Sequence, residues 1–271
     1  MLETGNETMK QPRMTLRISD TSLAFAIADK TAVKGVAYET YTVRSGISIA
    51  ANLREAFRQS QLLSHPTGRA QVMLSAPTML VPVEEFDEAK AETLYRYSFA
   101  AQANTEVICS VMPQLNAVAI MAINRDLKAV IDDHYADVIY MPVEQPVWSY
   151  MHRRAETHLC RRLYAYFHDG CVSIFAFDKH RFRFCNTYSA TRAQDSVYYM
   201  LYVWQQLQMD ADKDELYISG TPVDSDEMMT SLHRYLRKAY TMSPSAEFNR
   251  APITEIKGIA LDVVTLYMRG R

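Results

Sequence analysis

The chain has 271 residues, of which 48% are hydrophobic and 22% are charged, and its formal net charge at pH 7 is -2. This length and composition predict a globular protein with one large or two medium domains. The small net charge argues against attraction of the whole chain to nucleic acid or to an anionic membrane. Four cysteines without paired metal-ligand spacing favour buried free thiols in a reducing compartment, so we expect a cytoplasmic protein.

The first half of the chain begins with three strand patterns. A polar tail over residues 1–12 has no apolar core like that of a signal peptide, and we expect it to be disordered. Strands are predicted over 13–19, 22–28, 33–43, 71–74, 106–112, 117–123 and 137–141, and helical spacing predicts helices over 49–63, 86–97 and 127–131. The longest apolar run, 117–123, is too short to cross a bilayer.

Two prolines, Pro142 and Pro146, mark the predicted boundary between a first domain (13–143) and a second domain (144–271). After a connecting helix, strand patterns cover 161–168, 171–178 and 181–188, with turn signals at Asp169-Gly170 and Lys179-His180. Further elements are a helix over 197–208, a strand over 215–219, a short strand within 241–253 and a helix over 260–267. Between these two strands, a helix is predicted with Pro222 at its first position, and it continues inward through Tyr235.

The two halves repeat one order of elements: a three-strand meander, a helix, a strand and a helix. The offset is near 150 residues, because the segment from Ser22 to Phe25 and the segment from Ser173 to Ala176 occupy the same place in each half. Such a repeat with little sequence identity predicts two domains of related fold.

This repeated order resembles the actin-like ATPase superfamily, which includes actin, sugar kinases, heat-shock chaperone ATPases and the actin-like platform proteins of type IV pilus assembly. The segments 168–175 and 181–184 are similar to the meander of the pilus-platform proteins, and 216–220 is similar to the strand before their adenosine loop. Taken whole, the chain resembles a bacterial domain-of-unknown-function family grouped with this superfamily. The resemblance implies an α/β fold with two related actin-like ATPase (ribonuclease H-like) domains, each a mixed sheet that starts with a three-strand meander and is packed by helices.

The superfamily places Asp-x-Gly at the end of the first strand of each half, where the carboxylate organises magnesium and the glycine lets backbone amides approach phosphate. Here the corresponding segments are Arg17-Ile18-Ser19 and Tyr164-Ala165-Tyr166, which carry neither group. A register shifted by two residues makes Asp20 and Asp169 the candidates. We therefore expect a retained fold without ATP hydrolysis, no catalytic residue, no metal site and no cofactor, with ATP and magnesium as the alternative. The candidate nucleotide-binding residues are Ser19, Asp20, Asp169, Gly170 and Gly220.

Ordinary structural roles compete with these candidates. Asp169-Gly170 is a strong hairpin turn signal, and no basic partner for it is evident. Gly220 fits a turn from a strand into a helix as well as it fits an approach to adenine. His152, His158 and Cys160 do not converge on one helix face, which argues against a metal site.

An aromatic and basic surface in the second half is the last candidate. Its residues are Arg153, Arg154, Arg161, Arg162, Arg181, Arg183 and Arg192, interleaved with Tyr164, Tyr166, Tyr188, Tyr198 and Tyr199. Such a surface can bind RNA or an acidic partner, but Asp178, Asp195, Asp210 and Asp212 offset its charge, so nucleic acid is disfavoured. The leading hypothesis is a non-catalytic actin-like scaffold that binds another protein. The alternatives are a divergent ATP-binding or kinase-like protein and an RNA-associated factor.

Overall fold

The computed structural model describes residues 12–29, 31–100, 103–155, 160–178 and 181–268. The predictions for the tail before Pro12, for His158 and for the Lys179-His180 turn lie outside these residues. In chain order the helices and strands are β1 (Met14–Ile18), β2 (Ser22–Ala28), β3 (Val36–Thr42), α1 (Ile49–Gln59), β4 (Arg69–Leu74), β5 (Thr78–Pro82), α2 (Glu88–Ser98), β6 (Thr105–Met112), β7 (Ala117–Asn124), α3 (Arg125–Asp132), β8 (Asp137–Pro142), α4 (Gln145–Ala155), β9 (Arg162–His168), β10 (Cys171–Asp178), β11 (Arg181–Ser189), α5 (Ala193–Gln206), β12 (Glu215–Gly220), α6 (Ser225–Leu232), β13 (Ala239–Thr241), α7 (Pro244–Glu247) and α8 (Leu261–Tyr267).

Two five-stranded mixed sheets share one strand order. The first is β3-β2-β1-β4-β8 and the second is β11-β10-β9-β12-β13. In both, the first three strands form an antiparallel meander and the other two run parallel to the first strand. The segments that begin at Ser22 and Ser173 both lie in the second strand of their sheet. The predicted repeat of two meander-based halves is therefore confirmed.

A third sheet, β5-β7-β6, is inserted in the first half between β4 and α3. Helix α2 was predicted as the last helix of the repeated order, but it packs on β6 and β7 of the third sheet, so this part of the prediction was wrong. The counterpart of α6 is α3, which packs with α1 against the first sheet. Local periodicity cannot tell which sheet a helix will cover, and β5 was not predicted.

Two helices, α4 and α8, pack across the interface between the halves. From α4, Val147, Trp148 and Met151 join a core cluster with Tyr164 and Tyr166 of the second sheet. From α8, Leu266 packs with Met73 and Met141 of the first sheet and with Val143. The two helices also contact each other. The predicted boundary after residue 143 falls just before α4 and stays a prediction.

Three other details differ from the predictions. Helix α6 begins at Ser225 rather than at Pro222, because Asp224 has a left-handed backbone conformation with φ of 46°. Tyr235 lies beyond this helix and its side chain is exposed. Cys109 is exposed, so the predicted burial of its thiol was wrong, whereas the other three cysteines are partly buried.

Candidate functional site

A buried arginine joins the two halves of the molecule. Arg17 lies in β1, and its guanidinium Nε is 3.1 and 2.9 Å from the two carboxylate oxygens of Asp262 in α8. Its Nη1 and Nη2 donate to the two carboxylate oxygens of Asp169 at 3.1 and 2.8 Å. One side chain thus holds two carboxylates, from the hairpin turn after β9 and from the last helix.

Strand alternation explains this position. In β1, Met14, Leu16 and Ile18 point into the core of the first half. Thr15 and Arg17 point the other way, and the Thr15 hydroxyl is 2.8 Å from the Tyr267 hydroxyl of α8. Every residue of β1 is buried, so the charge of Arg17 requires partners that are also buried.

Second-half residues extend this network. His168 Nδ1 is 3.2 Å from Asp169 Oδ2, and its Nε2 is 3.3 Å from Glu144 Oε1, close enough for an ion pair but without hydrogen-bond alignment. Tyr166 donates its hydroxyl to Asp262 at 2.8 Å. We call Arg17, Glu144, Tyr166, His168, Asp169 and Asp262 the ion-pair cluster.

Mutual pairing sets the ionisation of the ion-pair cluster. Burial alone would lower the pKa of His168, but Glu144 and then Asp169 outweigh it and raise that pKa from 6.5 to about 9. Burial would raise the pKa of Asp169, but hydrogen bonds from His168 and Arg17 hold it well below its ordinary 3.8. Burial would also lower the pKa of Arg17, yet Asp262 and Asp169 raise it. His168 and Arg17 are therefore both cations at neutral pH.

Chemically, the ion-pair cluster is suited to connecting the halves. Each of the three nitrogens of the Arg17 guanidinium donates to a carboxylate, so the group is engaged by Asp169 and Asp262. Among the described residues, no group of His, Cys, Asp and Glu side chains is arranged to hold a metal ion. Glu144 Oε2 and Ser173 Oγ are buried without a hydrogen-bond partner among these residues. Buried waters commonly satisfy such atoms.

The candidate nucleotide-binding residues are only partly brought together. Within the described part of the chain, Asp169 alone of the five joins the ion-pair cluster. Ser19 turns its hydroxyl back to Ser22, and Asp20 is exposed in the same turn. The expectation that Asp169 has no basic partner was wrong, because Arg17 supplies one from 152 positions away.

Both glycines have clear structural roles. Asp169 and Gly170 have φ of 47° and 74°, as expected for the tight two-residue turn that connects β9 and β10. At Gly220, φ is 85° and an added Cβ would lie 1.9 Å from the carbonyl oxygen of Phe167. Only glycine permits this close approach at the end of β12. Nucleotide binding by these residues stays a prediction.

Functional roles for Glu144, His168 and Asp262 were not predicted from the sequence, and Arg17 was noted only as the loss of a carboxylate. One signal for Arg17 was available, since an arginine in the middle of an otherwise apolar strand must find buried partners. Nothing in the sequence could identify those partners, because Arg17 and Asp262 are 245 positions apart.

The other candidate sites are dispersed. His152 is buried, with its ring 5.0 Å from that of Phe177, and Cys160 is partly exposed. In the basic and aromatic surface, Tyr164 and Tyr166 are core residues, and Arg162 is buried beside Glu215 at 2.9 Å. These three residues cannot belong to an RNA-binding surface. No helix in the described ranges has the length and apolar character needed to cross a bilayer.

Comparisons with known proteins agree with this architecture. The family model described as Protein of unknown function (DUF3822) matches residues 3–239. No curated protein matches the sequence. A crystal structure from Bacteroides thetaiotaomicron VPI-5482, of a protein with actin-like ATPase fold and unknown function, is 23% identical, covers 95% of each chain and has a TM-score of 0.82.

A structure of the PilM–PilN type IV pilus biogenesis complex is 11% identical, with a TM-score of 0.51, and the match covers 86% of this chain and 89% of that chain. Both likenesses show the fold. They confirm the predicted actin-like α/β class and the resemblance to the actin-like superfamily.

Proposed function

The chain belongs to the DUF3822 family and has an actin-like ATPase fold, and from this premise we propose that it is a non-catalytic scaffold that binds another protein. The proposal has two parts: the space between the halves is used for an internal connection instead of nucleotide chemistry, and the outer surface is used for a partner.

The ion-pair cluster is the observation that carries the first part. In the superfamily pattern, the end of the first strand supplies a carboxylate to magnesium, whereas this chain has Arg17 there, bound to Asp169 and Asp262. A magnesium ion that binds Asp169 would have to displace the guanidinium from this carboxylate and leave Arg17 with Asp262 as its remaining carboxylate partner. Such a loss of one partner from a buried pair costs about 3–5 kcal/mol. This cost supports a fold that keeps its halves together without nucleotide.

The second part is supported by one of the structural comparisons. The PilM–PilN structure is of a complex between proteins, so a matching fold takes part there in a protein assembly. Fold likeness at this level of identity does not transfer a partner. We therefore infer only the class of ligand, another protein.

Thermal unfolding with and without millimolar magnesium-ATP tests the first part. A ligand that binds only the folded state at 100 times its Kd adds about 2.7 kcal/mol of stability, which is readily seen as a rise in Tm. We expect no rise in Tm and no release of phosphate. A rise that is abolished in Asp169→Asn or Asp20→Asn would contradict the proposal and favour the alternative, a divergent ATP-binding protein.

A further inference from the structure

Strand β6 is an open sheet edge without the usual protection. Edge strands generally avoid pairing with other chains by being short or by carrying proline, a β-bulge or charges, especially lysine. Four of the other five edges use these devices: β13 has three residues, β5 and β8 end in proline, and β11 carries a bulge and two arginines. Strand β3, the fifth, has seven residues and, like β6, one glutamate. Strand β6 has eight residues and none of these devices beyond one glutamate, and it pairs regularly with β7 along its length.

This edge faces a second edge across a groove. Strand β8 is the outer strand of the first sheet, and residues of β6, β8 and α2 line a groove of about 680 Å³. The groove is bounded near α4, where the Ser110 hydroxyl donates to the Gln145 side chain at 3.0 Å. Pockets of about 300–1,000 Å³ are typical of ligand sites in proteins.

Aliphatic side chains on both edges are open to solvent. Val111 on β6 is 57% exposed and Ile139 on β8 is 43% exposed. Cys109, also on β6, is exposed and lines the same groove. An extended segment that lies along β6 would form backbone hydrogen bonds with the open edge, and its alternate side chains would contact Val111 and Ile139.

Charge decides between the possible occupants. The groove is lined by Glu88, Glu92 and Glu106 and by one base, Arg125. Glu92 is paired with Arg96 at 2.7 Å and Glu106 lies 3.6 Å from Lys128, whereas Glu88 has no ion pair among the described residues. A second copy docked through β6 would bring these acidic residues together, which is unfavourable. A basic side chain would instead complement Glu88.

We propose that the groove between β6 and β8 binds an extended segment of another protein, with aliphatic residues at alternate positions and at least one lysine or arginine. The segment adds a strand to β6, covers Val111 and Ile139, and pairs its basic residue with Glu88. This inference rests on the proposed scaffold function and identifies where that function would reside.

Selection from a phage-displayed library of random dodecapeptides tests the proposal on the full chain. We expect enrichment of peptides with alternating aliphatic residues and a lysine or arginine. A synthetic copy of an enriched peptide should bind the wild type in fluorescence anisotropy, and its Kd should rise at least tenfold in Val111→Lys or Ile139→Lys. Val223→Lys is the matched control, because Val223 is 44% exposed in a loop remote in sequence, and it should leave the Kd unchanged.

Glu88→Lys tests the charge part separately and should weaken binding of the basic peptide while improving binding of a copy with glutamate in place of its basic residue. No enrichment, or enriched peptides that bind both lysine variants of the groove as tightly as the wild type, would overturn the proposal. So would a dimer in sedimentation that Val111→Lys dissociates, because a second copy would then occupy the edge. If the peptide experiment fails and ATP causes no rise in Tm, the groove proposal is refuted and the scaffold proposal stands. If ATP raises Tm and the peptide still binds, only the proposed absence of nucleotide binding is refuted.

Discussion

Arg17 shows how one residue can change the use of a fold. A buried guanidinium is tolerated only when it is paired and hydrogen-bonded, and the Asp169 and Asp262 carboxylates meet this requirement from separate elements of the second half. The arginine therefore forms a connection between the halves. This connection requires all of its members, because each buried charge is stabilised by the others.

Replacing Arg17 should be costly. Arg17→Met leaves two carboxylates without their main partner, and we expect the free energy of unfolding in urea to fall by about 3–5 kcal/mol. Arg13 provides a control on the same stretch of chain, since it pairs with the half-exposed Asp137 at 2.6 Å. Arg13→Met should cost about 1 kcal/mol or less. Equal losses in the two variants would refute a special role for the buried arginine.

The ion-pair cluster also makes stability depend on pH. The pKa of His168 is raised from 6.5 to about 9, so its contribution is complete below pH 6.5 and is lost as the pH rises through 9. The slope over this range should reach about 1.4 kcal/mol per pH unit. Asp169 acts in the opposite direction, because its lowered pKa makes its contribution decline as the pH falls below 3.8.

Urea unfolding of wild type and His168→Gln from pH 6 to pH 9.5 measures the histidine effect. Glu144, Asp169 and the stacked Tyr166 ring surround His168, so the glutamine variant should be less stable at pH 6 and should show a flatter pH profile. A slope that is the same in both proteins would assign the pH dependence to other groups.

At the scale of secondary-structure elements, a close contact between backbone atoms determines how β12 ends. Strand β12 pairs with β9 through Gly220 and Phe167, and the glycine lies against the Phe167 carbonyl. This contact carries the chain from the sheet toward α6 and requires a residue without Cβ.

Gly220→Ala should therefore destabilise the protein much more than Gly170→Ala. Both residues have positive φ, but a Cβ at Gly170 would have no heavy atom within 4 Å, so that variant carries only the backbone strain of about 1–2 kcal/mol. Midpoints of urea unfolding for the two variants give the comparison. A similar loss for both would show that the backbone near Phe167 can relax.

The elements were predictable to different degrees. The six meander strands were found within a few residues, because alternating apolar residues and turn signals are local features. The separate sheet of β5, β6 and β7, with α2 packed on it, was not predicted. The apolar face of α2 fits either sheet, so the sequence does not show which one it covers. Of the ion-pair cluster, Asp169 was a nucleotide-binding candidate and Tyr166 was assigned to the basic and aromatic surface. Their pairing with the other members was not predicted, because it depends on tertiary structure.

For the whole molecule, the crossing of α4 and α8 has a consequence for how the chain is made. The face of the first sheet around Met73 and Met141 is covered by Leu266 of α8. A ribosome synthesises the chain in the direction from N- to C-terminus, so this face stays uncovered until α8 has been synthesised. Contacts this distant in sequence also form late in folding, because a long loop must close first. The first half is thus synthesised before the second half but is completed only after α8 has been made.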